Sequence, residues 1–161
     1  MTPLSVSARL AGSADHASLL RLYRLLEAEM TDIHPMWPRA DGLAEPVSDG
    51  LLGLLKDPGT VTVLGELDGL PFGFMTGRVE PLLDRNAVVG AIRLVFVEFD
   101  ARGVGLGEAM RDLVLSELRA RGVTLFDAHV LPGHRLVKNF FEAGGFSARS
   151  IIMHHDDNRV R

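Results

Sequence analysis

The sequence predicts a single mixed α/β domain spanning residues 1–161, with helices packed on a largely antiparallel sheet. Three observations support this. The chain has 161 residues, 47% of them apolar, which is enough for one buried core. Its apolar residues change repeatedly between a two-residue and a 3.6-residue period. A hairpin pattern in the middle of the chain predicts antiparallel pairing. The predicted order of elements is β-α-α-β-β-β-α-β-α-β.

The chain begins with a predicted strand and a predicted helix. Residues 4–10 alternate between apolar and small or polar types, as in a half-buried strand. Ser13 or Asp15 can cap the following helix, which should end near Thr31. Apolar residues at three- and four-residue spacing form its buried stripe, namely Leu19, Leu22, Tyr23, Leu26 and Met30.

A loop, a short helix and a hairpin come next. Residues 32–46 contain prolines, a glycine and the only tryptophan, so we expect an ordered surface loop. A short helix is predicted over 47–56. Two strand-like runs, 61–67 and 71–79, flank Asp68-Gly69, a dipeptide that supplies the positive φ angles of a tight turn.

The second half of the chain alternates strands and helices. The run over 88–99 is almost continuously apolar, which is typical of a central strand covered on both faces. Glycines mark the ends of two later helices. After a polar break at 84–86, the predicted elements are a strand over 88–99, a helix over 105–122, a strand over 123–130, a helix over 134–145 and a last strand over 146–155.

Composition excludes several classes of protein. The 17 Lys and Arg residues against 21 Asp and Glu residues give a net charge of -4, so no global basic field exists to bind nucleic acid or an anionic membrane. The absence of cysteine excludes disulfides and thiolate chemistry. We find neither a signal peptide nor an apolar run near the roughly 18 residues that span a bilayer. We therefore expect a soluble cytoplasmic protein. We expect no metal site, since the adjacent His154 and His155 on a strand face opposite ways.

The stretch from Arg102 to Gly107 is the most informative in the chain. Three alternate glycines carry a buried strand directly into a helix. Glycine lets a backbone turn sharply and approach a ligand, and the free N–H groups at a helix start attract anions. The sequence therefore predicts a diphosphate cradle, to which Arg102 can add a charge-assisted contact.

Other phosphate-binding loops fit these residues less well. A P-loop requires Gly-Lys-Ser/Thr, but Gly107 is followed by Glu108. A dinucleotide fold places its glycines after an N-terminal strand, whereas four predicted strands precede these. Close helix packing without any ligand remains an alternative.

The same residues resemble the acetyl-CoA-binding motif of the GNAT acyltransferase superfamily, Arg/Gln-x-x-Gly-x-Gly/Ala, which Arg102, Gly105 and Gly107 match. A second block resembles the family's next strand and helix, ending in an aromatic pair, an acidic residue and Gly-Phe. The resemblance extends from Leu4 to about His155 and is weakest over 31–46. It implies an acetyl-CoA-dependent N-acetyltransferase acting on a primary amine of a small molecule or peptide.

The resemblance also assigns roles to residues. The strand before the glycine turn is expected to splay from its neighbour, so that the Val97 N–H polarises the thioester and stabilises the oxyanion. The resemblance also implies that the turn binds the diphosphate. Arg102 and Gly103 would shape the turn, and the diphosphate would be bound by the main-chain N–H groups of Val104, Gly105, Leu106 and Gly107.

Two positions depart from the family's pattern. The tyrosine that usually protonates the departing thiolate is replaced by Phe141, which still falls among the cofactor-binding positions. The asparagine that often opens the last helix is replaced by His134, which can contact the cofactor or simply cap the helix. A thiol with a pKa near 8.5 is a fair leaving group without an acid.

Two residues are candidates for the general base. His129 lies where some relatives carry a catalytic glutamate, and its ordinary pKa near 6.5 suits proton transfer. A solvent-facing histidine is the alternative. Glu98 is the second candidate, acting through a water, although a solvated carboxylate beside Arg102 fits the sequence equally well.

The acceptor pocket is expected between the first helix and the proline-rich loop. Acidic residues there favour a cationic amine, whereas arginines suit a substrate with a carboxylate. Trp37 is either a pocket wall or a loop anchor. The candidate lining residues are Glu29, Asp32, His34, Trp37, Arg39 and Arg78.

An alternative function is a CoA-binding sensor or partner-binding module without catalysis, suggested by Phe141. A purely structural domain is a third. The apolar last strand can pair across a two-fold axis, which would make a homodimer.

Overall fold

The computed structural model describes residues 2–84 and 86–159 and contains a five-stranded sheet in the order β1-β2-β3-β4-β5. The first four strands are antiparallel, and β5 runs parallel to β4. This confirms the mixed α/β class. The elements are β1 (Val6–Leu10), α1 (His16–Ile33), α2 (Trp37–Asp41), α3 (Val47–Lys56), β2 (Thr60–Leu67), β3 (Leu70–Pro81), β4 (Val88–Val97), α4 (Leu106–Ala120), β5 (Phe126–Ala128) and α5 (Arg135–Ala143).

The central hairpin forms as predicted. β2 and β3 are joined by Asp68 and Gly69, whose φ angles are 49° and 80°. Positive φ at both central residues matches the right-handed twist of the flanking strands, and Asp-Gly is a favoured dipeptide for it. The turn thereby fixes the register of the two strands.

Helices cover both faces of the sheet. On one face, the predicted stripe of α1 is buried against α3, Phe74 and Phe96. On the other face, α4 packs Met110 and Val114 against Met75 and neighbouring strand residues. A sheet buried on both faces explains why the β4 sequence is almost continuously apolar.

Two strand glycines let α4 approach the sheet closely. A Cβ at Gly65 would lie 2.8 Å from the Leu106 side chain, and a Cβ at Gly73 would lie 3.0 Å from the Met110 side chain. The first distance is shorter than real contacts allow, and the second is at their lower limit. The missing side chains therefore set the position of the α4 N-terminus, where the glycine turn ends.

The region predicted as a loop over 32–46 contains a short helix, α2, which corrects that expectation. Pro38 occupies its first turn, where no N–H is needed, so proline starts this helix instead of breaking it. The Leu43 N–H donates to the Tyr23 hydroxyl at 2.6 Å, which ties the end of this region to α1.

Replacing Tyr23 with Phe should lower the free energy of unfolding by about 1–3 kcal/mol, because the Leu43 N–H loses its acceptor beside a fully buried ring. Urea denaturation monitored by circular dichroism measures the change. Leu25→Ala on the exposed side of the same helix is the control and should have a smaller effect. Equal stability of Tyr23→Phe and the parent protein would contradict the anchoring role.

The predicted last strand over 146–155 does not form. Within the described part of the chain, residues 147–156 contain no strand, and Ile151, Ile152 and Met153 are 77–88% exposed. The apolar pattern alone cannot form a strand where no neighbouring backbone pairs with it. β5 is also shorter than its predicted span of 123–130. No helix among the described residues has the length and apolarity needed to cross a bilayer.

Candidate active site

The sheet opens between β4 and β5. The two strands pair at only three positions, ending at Ile92 and Ala128, and the His129 N–H then donates to the Ile92 carbonyl at 2.9 Å. Beyond this point β4 continues to Val97 without pairing to β5. We call the opening beside residues 93–97 the wedge. It is the strand separation that the family resemblance implies.

A bulge decides which main-chain groups face the wedge. Ile92 pairs with Gly77 and Leu94 pairs with Thr76, so Arg93 is an extra residue in β4. At the end of the strand, the Glu98 N–H donates to the Phe72 carbonyl of β3. Because main-chain groups alternate sides along a strand, the groups of Val95 and Val97 point away from β3, into the wedge. Val95 was not predicted, since a bulge has no clear sequence signal.

The three glycines of the turn have two different functions. Gly103 and Gly105 have φ angles of 82° and 93°, and a Cβ on either would meet nothing within 4 Å. They form an open, left-handed turn at the N-terminus of α4, where helix N–H groups are free. A Cβ on Gly107 would lie 3.1 Å from the Phe140 ring, so Gly107 serves packing. Leu106 is buried and anchors the turn to the core, while Val104 is exposed.

Arg102 lies at the mouth of the wedge. Its Nε donates to the Val97 carbonyl at 2.9 Å and its Nη2 donates to the Glu29 carboxylate at 3.0 Å. The guanidinium also stands over the rings of Phe96 and Phe99, 5.9 and 5.8 Å from their centroids. Its predicted contact with a diphosphate stays a prediction.

A cavity of about 450 Å³ lies beside the mouth, between α1 and the ends of β3 and β4. Its walls combine aromatic rings with carboxylates. The Glu98 Oε1 accepts from Arg21 at 3.0 Å, while its Oε2 is buried with no hydrogen-bond partner among the described residues. The lining residues are Leu25, Ala28, Glu29, Asp32, Phe72, Phe96, Glu98, Phe99, Asp100 and Arg102.

His129 lies at the deep end of the wedge, directly after β5, and is exposed to solvent, as the alternative interpretation of this residue expected. Arg93 Nη1 is 3.2 Å from its Nδ1. Burial is the main cause that lowers the pKa of His129 below its usual 6.5, and the positive charge of Arg93 lowers it further. The ring is therefore neutral at pH 7. Since an arginine only donates, a hydrogen bond across this contact requires a lone pair on Nδ1.

His134 occupies the N-cap position of α5, but its side chain makes no capping hydrogen bond. Its Nε2 is buried, lies 3.7 Å from the Glu29 carboxylate and has no hydrogen-bond partner among the described residues. Burial lowers the pKa of His134, against the opposing effect of Glu29. The His134 side chain therefore does not cap α5, and its contact with the cofactor stays a prediction.

Phe141 is 2% exposed and belongs to the core between α4, α5 and the sheet. Its ring makes edge-to-face contacts with Phe140 and Phe146, at centroid distances of 5.0 and 5.2 Å. The position that carries the acid in the family is thus an apolar packing position in this chain.

The predicted acceptor residues fall into separate groups. Glu29 lines the cavity with Asp32. His34 stacks on Trp37 at 4.3 Å, and both rings meet His154 edge-on at 6.0 Å. Arg78 pairs with Thr60 and Ala91 in the sheet and does not line the cavity, while Arg39 is exposed on α2.

Sequence reasoning missed two further features of the site. Arg93 has no motif around it, and the aromatic walls of the cavity come from β3, β4 and the turn after β4. Only the folded chain brings them together.

No protein-family profile and no curated protein sequence matches this chain. Solved structures do match it. A ribosomal-protein-alanine N-acetyltransferase from Brucella melitensis biovar Abortus 2308 has a TM-score of 0.71 at 17% identity, covering 94% of this chain and 100% of its own. The aminoglycoside N-acetyltransferase AAC(6')-Iy in complex with CoA has a TM-score of 0.75 at 13% identity, covering 98% of each chain.

An acetyltransferase from Trypanosoma brucei gives a similar result, with a TM-score of 0.66 at 21% identity over 94% of this chain and 99% of its own. The three proteins are acetyltransferases, and each matches nearly the whole chain. The order of strands and helices therefore fits the fold that these three proteins share. This protein has the fold of the GNAT acetyltransferases.

Proposed function

We propose that this protein is an acetyl-CoA-dependent N-acetyltransferase that transfers an acetyl group to a primary amine of a small molecule or peptide. One observation carries the proposal: a strand edge facing an opening is followed, after a single 3-10 turn (Phe99–Ala101), by a left-handed glycine turn that is open to solvent. The fold likeness to acetyltransferases supports it, as does the CoA bound in the AAC(6')-Iy structure.

The wedge matches the shape of the acyl donor. Main-chain N–H groups from Val104 to Gly107 would hold the diphosphate at the start of α4. The pantetheine arm would then extend past Val97 toward Arg93, pairing with β4 as an added strand. Four residues of strand rise about 13 Å. An arm with two amide-linked units has a similar length, so its thioester would reach the deep end of the wedge.

Acetyl transfer needs few groups from the protein. The lone pair of a neutral amine attacks the thioester carbon, the C–N bond forms, and the C–S bond breaks with its electron pair on sulfur. The N–H of Val95 or Val97, whichever lies at the carbonyl, would donate to the oxygen as negative charge develops. Holding both reactants in one cleft supplies much of the rate.

Glu98, which directly follows Val97 at the mouth of the wedge, is proposed as the base that receives the amine proton along a chain of waters. Its Oε2 is buried and has no partner among the described residues, and the cavity has room for the water. His129 was the other predicted base. Its Nδ1 lone pair is directed at Arg93, which favours Glu98 as the proton acceptor.

The departing thiolate would leave without a tyrosine acid, because position 141 carries phenylalanine in a packed core. A thiol pKa near 8.5 makes the thiolate a tolerable leaving group at neutral pH. Water can then protonate it.

The amine is proposed to approach from the α1 side. Four carboxylates and one arginine line the cavity there, which favours a cationic amine over a carboxylate-bearing substrate. His34 and Trp37 stack on each other but do not line this cavity, so their contact with the amine stays a prediction.

Glu98→Gln should lower kcat about 100-fold or more, since the amide cannot take the proton. The Kd for acetyl-CoA should stay near the parent value. Arg21→Gln is the matched control, because it breaks the same ion pair and leaves the carboxylate in place. Loss of kcat in both variants to the same degree would assign the effect to the ion pair and not to a base.

The proposed function is tested by two measurements on the full chain. Calorimetry with acetyl-CoA should show binding, and thiol detection should show CoA release with at least one member of a panel of polyamines, aminoglycosides, amino acids and peptides. Binding without release across the panel would support the CoA-binding module instead. No binding at millimolar acetyl-CoA would overturn both functions.

A further inference from the structure

We propose that Arg93 fixes His129 in the tautomer with its proton on Nε2, so that His129 acts as a hydrogen-bond donor at the deep end of the wedge. This inference rests on the proposed acetyl transfer for its functional meaning. Arg93 is a positioning residue in this scheme, and His129 is the group that touches the substrate.

The geometry around Arg93 is closely defined. As the bulged residue of β4, it projects its side chain toward Glu80 on β3. Two donors, Nε at 2.8 Å and Nη2, bind the Glu80 carboxylate, which is a bidentate ion pair with fixed direction. The remaining nitrogen, Nη1, is then held against His129 Nδ1 at 3.2 Å.

The backbone of His129 is fixed as well, by the hydrogen bond from its N–H to the Ile92 carbonyl. A guanidinium has five donors and no acceptor, so the shared contact requires a lone pair on Nδ1. A neutral imidazole with a lone pair on Nδ1 has its hydrogen on Nε2. The ring in this state can donate once and has no free lone pair to accept a proton.

The charged groups around His129 do not hold its ring in the protonated form. His129 is faced by Arg93 from β4, Glu80 from β3, Asp127 from β5 and Asp41 from α2. Glu80 is already neutralised by Arg93, and Asp127 is bound by Arg149 at 2.7 Å. Protonation of Nδ1 would set two cations against each other. The neutral donor form is therefore expected throughout the neutral pH range.

A hydrogen-bond donor at the deep end of the wedge can stabilise the charge that develops during acetyl transfer. The thioester is expected near the deep end of the wedge, where an Nε2–H can bond to the carbonyl oxygen as it becomes negative, or to sulfur as the C–S bond breaks. His129 keeps its own proton throughout. The amine proton leaves toward Glu98, at the mouth of the wedge, along a chain of waters, and solvent protonates the thiolate, so no proton is unaccounted for. The Nε2–H of His129 would supply the hydrogen bond that Phe141, which lacks a hydroxyl, cannot supply.

Three substitutions at His129 separate a donor from a base. In His129→Gln, the amide nitrogen can still donate but cannot take a proton. In His129→Glu, an ionised carboxylate can take a proton but cannot donate. We expect His129→Ala to lose about 100-fold in kcat, His129→Gln to recover at least tenfold of that loss, and His129→Glu to recover none. Recovery by Glu alone, or equal loss in all three, would overturn the proposal.

The tautomer itself is measured without any turnover. In protein labelled with ¹⁵N-histidine at pH 7.5, His129 should show a protonated Nε2 and an unprotonated Nδ1. Arg93→Met should give a mixture of tautomers and raise the titration midpoint of the ring, while Arg149→Met is the control that keeps the parent tautomer. A protonated Nδ1 in the parent protein would overturn the proposal. If the tautomer is as expected but no amine releases CoA, the proposed function fails and the Arg93 contact stands.

Discussion

Gly105→Asp should weaken acetyl-CoA binding at least 100-fold while the domain stays folded. A side chain at this position projects into the open turn, where the diphosphate would lie, and its carboxylate repels a second anion. A 100-fold loss corresponds to about 2.7 kcal/mol. That is the value of one or two charge-assisted hydrogen bonds. Calorimetry with acetyl-CoA measures the change directly.

The fold should tolerate this substitution. A Cβ on Gly105 meets nothing within 4 Å, so no packing is disturbed. The φ angle of 93° disfavours a side chain, although Asp and Asn enter the left-handed region more readily than other residues. An acidic residue at the N-cap of α4 also interacts favourably with the helix dipole.

Two controls separate charge, bulk and backbone strain. Gly105→Asn has the same size without the charge and should lose less affinity. Gly122→Asp has a similar φ of 86° and the same open space, at the other end of α4, about 22 Å away along a 15-residue helix. It should bind acetyl-CoA as the parent does. Unchanged affinity in Gly105→Asp would show that the turn does not hold the diphosphate.

Local sequence signals predicted most of the fold because each one acts within a few residues. The α1 stripe, the Asp-Gly turn and the glycines before α4 are all decided by neighbouring backbone geometry. Gly105 was assigned to a sharp turn because glycine has no Cβ, and the structure places it in a left-handed turn with a φ of 93°. The pairing of β2 with β3 followed from the Asp68-Gly69 turn.

Features that depend on distant parts of the chain were missed. The bulge at Arg93 exists only through its pairing with β3, and it selects Val95 and Val97 as the residues that face the wedge. The protein partners of Arg102, the Val97 carbonyl and a glutamate on α1, were not predicted either, while its contact with a diphosphate stays a prediction. A long side chain can turn either way from its backbone, so spacing alone does not fix its direction.

The last predicted strand failed for a related reason. The run Ile151 to Met153 has strand-like composition, but strand formation depends on a partner edge and on burial as much as on propensity. Neither is present for these residues in the described part of the chain, where their side chains are exposed.

Phe141→Ala should lower the free energy of unfolding by about 3–5 kcal/mol, since it removes a fully buried aromatic side chain from the core between α4, α5 and the sheet. That is a large share of the stability of a typical domain, about 5–15 kcal/mol. Urea denaturation of the free protein measures the change. Phe99→Ala is the matched control, because its ring is 79% exposed and its loss should have a much smaller effect.

The size of the stability loss in Phe141→Ala also indicates how the thiolate can leave. A large loss of stability would show that position 141 is a core position. A tyrosine hydroxyl there would be buried among Phe140, Phe146 and the apolar face of α4, whereas phenylalanine matches these apolar neighbours. The chain would then depend on solvent and on a donor elsewhere, such as His129, when the thiolate leaves. A loss below about 1 kcal/mol in Phe141→Ala, well under that of a buried ring, would place the ring on the wall of the wedge instead. A family-type acid could then be restored by Phe141→Tyr, with a matching rise in kcat.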